Sequence, residues 1–395
     1  MNKSDFKFVA PEDRANIEQI RPGLTYWKDA WRRLKKNKLA MAGLVVIGLM
    51  TLFGIFGPFF TNYNYSDQIP GFNNMPPRFE IMKVEDHYFY LNLSEYNLYT
   101  STEDGLLLEK LDETARDTTI KHLTYDLNGE DVMINYSYKV FEELADEGID
   151  FSITYHGVEY KELYGKVSNK LFPWGSDTLA RDVMTRVMYG ARISLFIALV
   201  AALVNLFIGV IYGSIAGIEG GIVDDIMMRI IDVINSIPLL LYVILIMVIL
   251  DDNSMFTVIL TLGLVYWVGM ARLVRGQVLG LKNQEFVLAA RAIGVPKSQI
   301  IFRHLIPNSI GPIIVSLTMM IPSAIFTEAF LSFIGLGASA PQSSWGSLAN
   351  DAIGVFRSSL YQLLFPASAI AITILAFNFF GDGVRSALDP KLRKG

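Results

Sequence analysis

Residues Ile193 to Ile218 read ISLFIALVAALVNLFIGVIYGSIAGI, 26 residues without a charge and mostly apolar. As an α-helix, about 20 such residues cross the ~30 Å hydrocarbon core of a bilayer. One run of this kind could be the buried helix of a soluble protein. Five others accompany it: Leu39–Phe60 (22 residues), Val233–Leu250 (18), Asn253–Ala271 (19), Leu305–Thr327 (23) and Ser358–Gly381 (24). Six runs in one chain make an all-α polytopic membrane protein. Composition agrees: of 395 residues, 52% are hydrophobic and only 18% charged, against roughly a quarter charged in a soluble domain. That balance excludes a disordered or nucleic-acid-wrapping chain and argues against an ordinary soluble enzyme. Within the quoted run Gly209, Gly213 and Gly217 recur every four residues, a ridge that lets a second helix approach closely.

The chain has no cysteine, so disulfides and thiolate chemistry are excluded. The first run begins at Leu39, too far in and too long for a cleaved signal peptide, and reads as a retained helix. A net charge of −5 hides an asymmetry, because residues 61–172 carry 21 acidic and 9 basic side chains. An acidic domain is spliced into a basic membrane body. Lys28, Arg32, Arg33, Lys35, Lys36 and Lys38 precede the first run, Arg272 to Arg303 fill the connection before the fifth, and the tail adds Arg385, Lys391, Arg393 and Lys394. By the positive-inside rule both termini are cytoplasmic. Acidic residues 219–232 on the expected inner side, and Arg181, Arg186 and Arg192 on the outer, run against it.

The expected organisation is a cytoplasmic amphipathic segment (1–38), a first transmembrane helix (39–60), an extracytoplasmic inserted domain (61–172) and a core with five further transmembrane helices (173–395). In the insert, residues 132–140 and 149–155 alternate apolar and polar, the period of half-buried strands. Phe141–Glu147 reads as a short helix or turn. The expectation is a small β-rich or α+β domain, with a poorly ordered loop as the rival. Asp182 and Arg186 lie at i, i+4, consistent with an amphipathic helix on the outer surface.

Recognisable chemistry is absent. There is no phosphate-binding G-x-x-x-x-G-K-[ST], no nucleophile elbow and no H-E-x-x-H, and His87, His122 and His156 lack a metal-ligand spacing. No catalytic, cofactor or metal site is expected in this chain. Glu328, the strong acid bordering the fifth run, is a gate or pathway candidate, or else an interfacial carboxylate that reaches water or caps the next segment.

The connection between the fourth and fifth runs is more telling. Asn283 suits an N-cap; Phe286, Ala289/Ala290 and Ile293 share a helical face; Gly294 sits where a left-handed cap belongs; Pro296 prevents continuation. A helix over about 284–293 follows, its small alanines exposed for docking into a groove on another protein.

Leu-Ala-Ala-Arg-Ala-Ile-Gly at 288–294, followed by His304-Leu305-Ile306-Pro307-Asn308, resembles the "EAA" loop of ABC-importer permeases. The sub-type is similar to the C subunit of oligopeptide, dipeptide and nickel transporters. Further matching residues include Gly175-Ser176-Asp177, Arg181-Asp182, Gly190 to Leu195, Asp224, Arg229, Asp232, Pro238, Glu328 to Gly337, Trp345-Gly346 and Gly381-Asp382-Gly383. The resemblance covers about 26–60 and 172–395, not the insert.

It implies the type I ABC-importer permease fold in the cell membrane, importing oligopeptides or dipeptides, or nickel. The implied partners are a second permease subunit, two ATPase subunits that carry ATP and Mg, an extracytoplasmic peptide-binding protein and membrane lipid, with no nucleic acid. The implied ATPase-coupling residues are Phe286, Leu288, Ala289, Ala290, Arg291, Gly294, His304 and Pro307. Two positions depart from the family pattern: Leu288 stands where a glutamate is usual and Ala180 where a glycine is. The rivals are a secondary transporter, which would need ion-coupling groups and repeats, and a sensing receptor, for which the cytoplasmic segments leave no output domain.

Overall fold

The computed structural model describes residues 25–93, 95–137, 140, 150–252, 254–337 and 343–389. The expected element at Phe141–Glu147 lies outside the described residues.

Helix α1 (Tyr26–Lys36) is amphipathic, burying Ala30 and Leu34. Asn37 ends it and caps α2 (Lys38–Phe56), its side chain accepting from the Ala40 amide at 3.2 Å. Among the described residues ten strands follow in two antiparallel sheets, ordered β10-β1-β2-β3-β4 and β5-β6-β7-β8-β9. Their ranges are β1 (Arg78–Val84), β2 (His87–Asn92), β3 (Asn97–Ser101), β4 (Leu107–Lys110), β5 (Asp112–Asp117), β6 (His122–Leu127), β7 (Glu130–Asn135), β8 (Ser152–Tyr155), β9 (Val158–Tyr160) and β10 (Gly165–Ser168). The β6–β7 turn places Asn128 and Gly129 both at positive φ, as a primed hairpin turn requires. Met82, Phe89 and Leu98 of the first sheet share a core with Leu123, Tyr125, Ile134 and Ile153 of the second.

The two stretches with alternating pattern become β7 and β8, paired through Val132↔Tyr155 and Ile134↔Ile153. Each is shorter than the pattern. β5 shows no alternation because every residue of it is exposed.

The long helix α3 (Val183–Glu219, 37 residues) returns from the β-domain, about 55 Å at 1.5 Å per residue. Its glycine ridge packs on α7: a Cβ on Gly213 would stand 2.3 Å from the Ala271 carbonyl, and one on Gly209 2.5 Å from Met270 Cβ. Beyond it come α4 (Gly221–Ser236), α5 (Leu239–Leu250), α6 (Met255–Val265), α7 (Trp267–Leu281), α8 (Glu285–Ala292), α9 (Lys297–Ile300), a π-helical turn (Ile301–Leu305), α10 (Ile306–Phe333), α11 (Trp345–Asp351) and α12 (Leu360–Leu388).

The run Val233–Leu250 is not one straight span. α4 and α5 meet at 85°, because Pro238 forces Ile237 into extended backbone (φ −90°, ψ 126°) and supplies no amide to continue the helix. Among the described residues five helices are long and apolar enough to cross a membrane, or six if this bent pair counts as one span. The π turn before α10 has a local cause too. Pro307 has no amide proton to offer the Arg303 carbonyl one turn back, and next to it Asn308 Nδ2 donates to the His304 carbonyl at 2.6 Å. α1, the end of α12 and the start of α10 gather at one end: Tyr26 donates to the Leu388 carbonyl at 3.4 Å and lies against Gly311.

Candidate functional sites at the two ends of the helical body

At the connector end the sequence turns out of α7, through α8, and back into α10. Gln284, not Asn283, occupies the N-cap, and no side chain caps the helix. Gly294 has φ +80°, and Val295 N donates to Ala290 O at 3.0 Å while Gly294 N donates to Arg291 O at 3.0 Å. These bonds close the helix through a left-handed residue.

The helix is two-faced, with a division the spacing alone misplaces. Ala290 is only 6% exposed; with Val287 it packs against Val274, Val278, Ile300 and Leu305. It therefore holds the connector to the body and does not form its outer surface. The outer surface is made by Phe286 (39% exposed), Leu288 (49%) and Ile293 (82%), together with the exposed Ala289 and Arg291. On a 3.6-residue helix Ala290 lies about 60° from the buried Val287, on the inward stripe, whereas Ala289 lies about 160° from it and faces outward. His304 stacks obliquely near Phe286, ring centroids 6.5 Å apart, and Pro307 is exposed beside it. Phe302 is an exposed apolar neighbour the sequence reading missed. It sits in the π turn, which follows no 3.6-residue pattern.

The acidic segment that runs against the charge rule is helical and pairs with the basic one. Arg275 donates to Asp224 through Nε (2.5 Å) and Nη2 (2.7 Å), Arg272 to Asp232 at 2.9 Å, and Lys297 to Glu219 at 2.6 Å. α4 thus fastens α7, the helix that leads into α8, while Glu219 at the end of α3 holds Lys297 at the start of α9.

At the β-domain end, Glu328 is fully buried. Its Oε2 accepts from Ser194 Oγ at 2.9 Å and its Oε1 from Ser332 Oγ at 2.8 Å. Ser194 Oγ in turn accepts from the Trp345 amide at 3.2 Å, and Trp345 Nε1 donates to the Val187 carbonyl at 3.0 Å. The expectation of a carboxylate reaching water is overturned: Glu328 ties α3, α10 and α11 into one knot. Hydroxyl donors make a buried carboxylate tolerable where water is excluded.

The i, i+4 pair also resolves differently. Asp182 caps α3 by accepting from Thr185 N at 2.7 Å and Oγ1 at 2.6 Å, and burial pushes its carboxyl above the usual range. Arg186 bonds Asp177 instead, at 2.6 Å, and reaches Ser343 Oγ at 2.5 Å. Both side chains are buried, so this stretch is not a surface helix. Ala180, where the resembled family has glycine, holds φ +57°, the left-handed region a glycine enters without strain.

The family of binding-protein-dependent transport system inner membrane components matches residues 209–394. The N-terminal TM domain of oligopeptide transport permease C matches residues 25–77. The oligopeptide transport system permease protein OppC of Bacillus subtilis (strain 168) is 38% identical over 386 residues, covering 98% of this chain and 96% of that protein. The dipeptide transport system permease protein DppC of the same organism is 39% identical over 375 residues, 95% of this chain and 88% of that one. OppC of Escherichia coli (strain K12) is 47% identical over 220 residues, 56% and 72% respectively. The match to the Bacillus subtilis OppC spans 98% of this chain, so it extends through the β-domain as well as the helices. The chain belongs to the binding-protein-dependent transport permease family, on the branch of the oligopeptide and dipeptide permease C proteins.

Proposed function

We propose that this chain is the C-type permease subunit of an ATP-binding-cassette importer for oligopeptides or dipeptides. It forms the path with a second permease subunit and is driven by two ATPase subunits that bind ATP and Mg. A peptide-binding protein delivers substrate on the side of the β-domain. Lysine and arginine flanking the apolar runs support a cytoplasmic connector end and an extracytoplasmic domain over 61–172.

The observation that carries the reading is the two-faced α8. One face is packed on α7 through Val287 and Ala290, while Phe286, Leu288 and Ile293 are exposed. A short helix held by one side and apolar on the other is built for a groove on a partner. Closure of the ATPases would displace α8, and the packed spans would carry that displacement to the Glu328 knot. Leu288 supplies apolar contact where the resembled family has an acid, so docking rests on shape and not on an ion pair.

Peptide uptake and ATPase copurification at matched expression test this. Ile293→Asp and Phe286→Asp, both on the bare face, are expected to lose both activities; Leu288→Ala should be milder. Normal uptake by both aspartate variants would refute the docking role. Uptake of nickel in place of peptide would refute the substrate.

A further inference from the structure

Arg192 lies six residues, about 1.7 turns, past Arg186 on α3, and its guanidinium has an unusual set of neighbours. Nε donates to the Gly54 carbonyl and Nη2 to the Ile55 carbonyl at 2.6 Å, which satisfies the last turn of α2. The guanidinium carbon stands 4.8 Å from the centre of the Tyr189 ring and 5.9 Å from that of Phe59. Among the described residues no carboxylate pairs with it. Capping uses two N–H groups and leaves three of the five aimed elsewhere.

Beside it opens a cleft of about 350 Å³ with Tyr65, Tyr189, Ile193, Phe196 and Met255 in its wall. Ser343 is at the same cleft; its oxygen already accepts from Arg186, so its own proton is free to be donated. Below the cleft the same face of α3 presents Phe196, Leu199, Leu203 and Phe207, all exposed. From Arg192 to Phe207 the track runs about 22 Å along the helix, more than the ~15 Å of one leaflet's hydrocarbon. The apolar span Lys38–Phe60 ends at the strongly exposed Phe59 and Phe60, and Arg192 lies over the Phe59 ring, level with the end of a membrane-length helix.

A fixed cation at headgroup height, phenol and hydroxyl donors beside it, and an open apolar track leading inward form one composite. We propose that this cleft binds an anionic glycerophospholipid, its phosphate held by Arg192 and one acyl chain lying along Phe196–Phe207. The charge complementarity decides the occupant. A transmembrane helix of a partner subunit would cover the track but leave the cation unmet, and a peptide's polar backbone would be stranded on the apolar track.

The test uses the full chain in its complex, reconstituted in vesicles of phosphatidylethanolamine with phosphatidylglycerol, or with phosphatidylcholine in its place. After gentle detergent release, native mass spectrometry counts retained lipid. The wild-type complex is expected to keep phosphatidylglycerol and not phosphatidylcholine. Arg192→Gln should retain about tenfold less, the loss of one strong charge-assisted contact. Because Arg192 also caps α2, Ile193→Trp is the second variant: it fills the cleft, leaves the cap in place, and is expected to lose the lipid equally. Equal retention of phosphatidylglycerol by wild type and Ile193→Trp would overturn the proposal. So would a disulfide cross-link between Phe196→Cys and a cysteine placed on the partner permease, since the track would then be a subunit interface.

Discussion

Arg275 on α7 grips Asp224 on α4 with two parallel bonds, Nε to Oδ1 at 2.5 Å and Nη2 to Oδ2 at 2.7 Å. Asp224 is buried and Arg275 only partly exposed, so water screens the pair weakly. The fork matches the carboxylate in geometry as well as charge. Through this bond α4 is fastened to the helix that delivers the chain into α8.

Removing the carboxylate tests the clamp. Asp224→Asn keeps the shape and loses the charge, and should cost about 1.5–3 kcal/mol, the range for hydrogen bonds to charged groups. Thermal unfolding of the purified complex measures it. The exchange Asp224→Arg with Arg275→Asp should recover part of the loss. Additive damage in the exchanged pair would mean the two side chains do not act together.

The two faces of α8 should respond differently to substitution. Ala290→Trp overfills the contact with Val274 and Val278, at about 1–3 kcal/mol or more, and is expected to lower the stability of the chain itself. Gly294→Ala meets nothing within 4 Å, so its cost is backbone strain alone, about 1–2 kcal/mol. It should leave ATPase copurification in place. Stability of Ala290→Trp equal to wild type would show that this residue is not packed inward.

Glu328 is held by Ser194 and Ser332. Glu328→Ala strands both hydroxyls and leaves a void, and should destabilise by about 1–3 kcal/mol for the unmet groups in addition to the cavity. Glu328→Gln retains the shape and one acceptor and should be milder. Thermal unfolding of both variants orders them; an alanine variant as stable as wild type would remove the knot from the account.

In the β-domain, His156 Nδ1 lies 3.2 Å from Glu85 Oε1 and Nε2 lies 3.2 Å from Glu130 Oε2, joining the turn after β1 to β7 across the two sheets. Its pKa is raised above 6.5, first by the hydrogen bond to Glu85 and then by both carboxylate charges. A raised pKa means the protonated form favours the folded state. The contribution is therefore fully present below about 6.5 and is lost as pH rises through the raised value. Amide-exchange protection at the β1–β2 and β8–β9 turns, corrected for intrinsic rates, should fall as pH rises above about 6.5. His156→Gln should flatten that dependence. A wild-type profile already flat over the range would contradict it.

The sequence determined the membrane body, because a run of some twenty apolar residues has no soluble use when six occur together. It also determined the connector helix and its left-handed end, since Gly294 and Pro296 act on their own backbone. The resemblance of residues 288–294 and 304–308 to a permease loop points to the family without reference to any tertiary contact. Alternation located β7 and β8, but it could not locate β5, whose exposed residues carry no period.

Tertiary structure alone decided which groups meet. Arg186 could reach Asp182 by spacing, yet it bonds Asp177, because Asp182 is taken by the first turn of α3. Glu328 finds Ser194 from 134 residues away, and Arg275 finds Asp224 from 51. Ala289 and Ala290 are the same residue type side by side, and only packing against α7 assigned one to the interior and the other to the surface. Local pattern reports what a segment prefers. A buried charge takes whichever partner the fold brings within hydrogen-bonding distance, and that distance is set by helices packing against one another, which no single segment encodes.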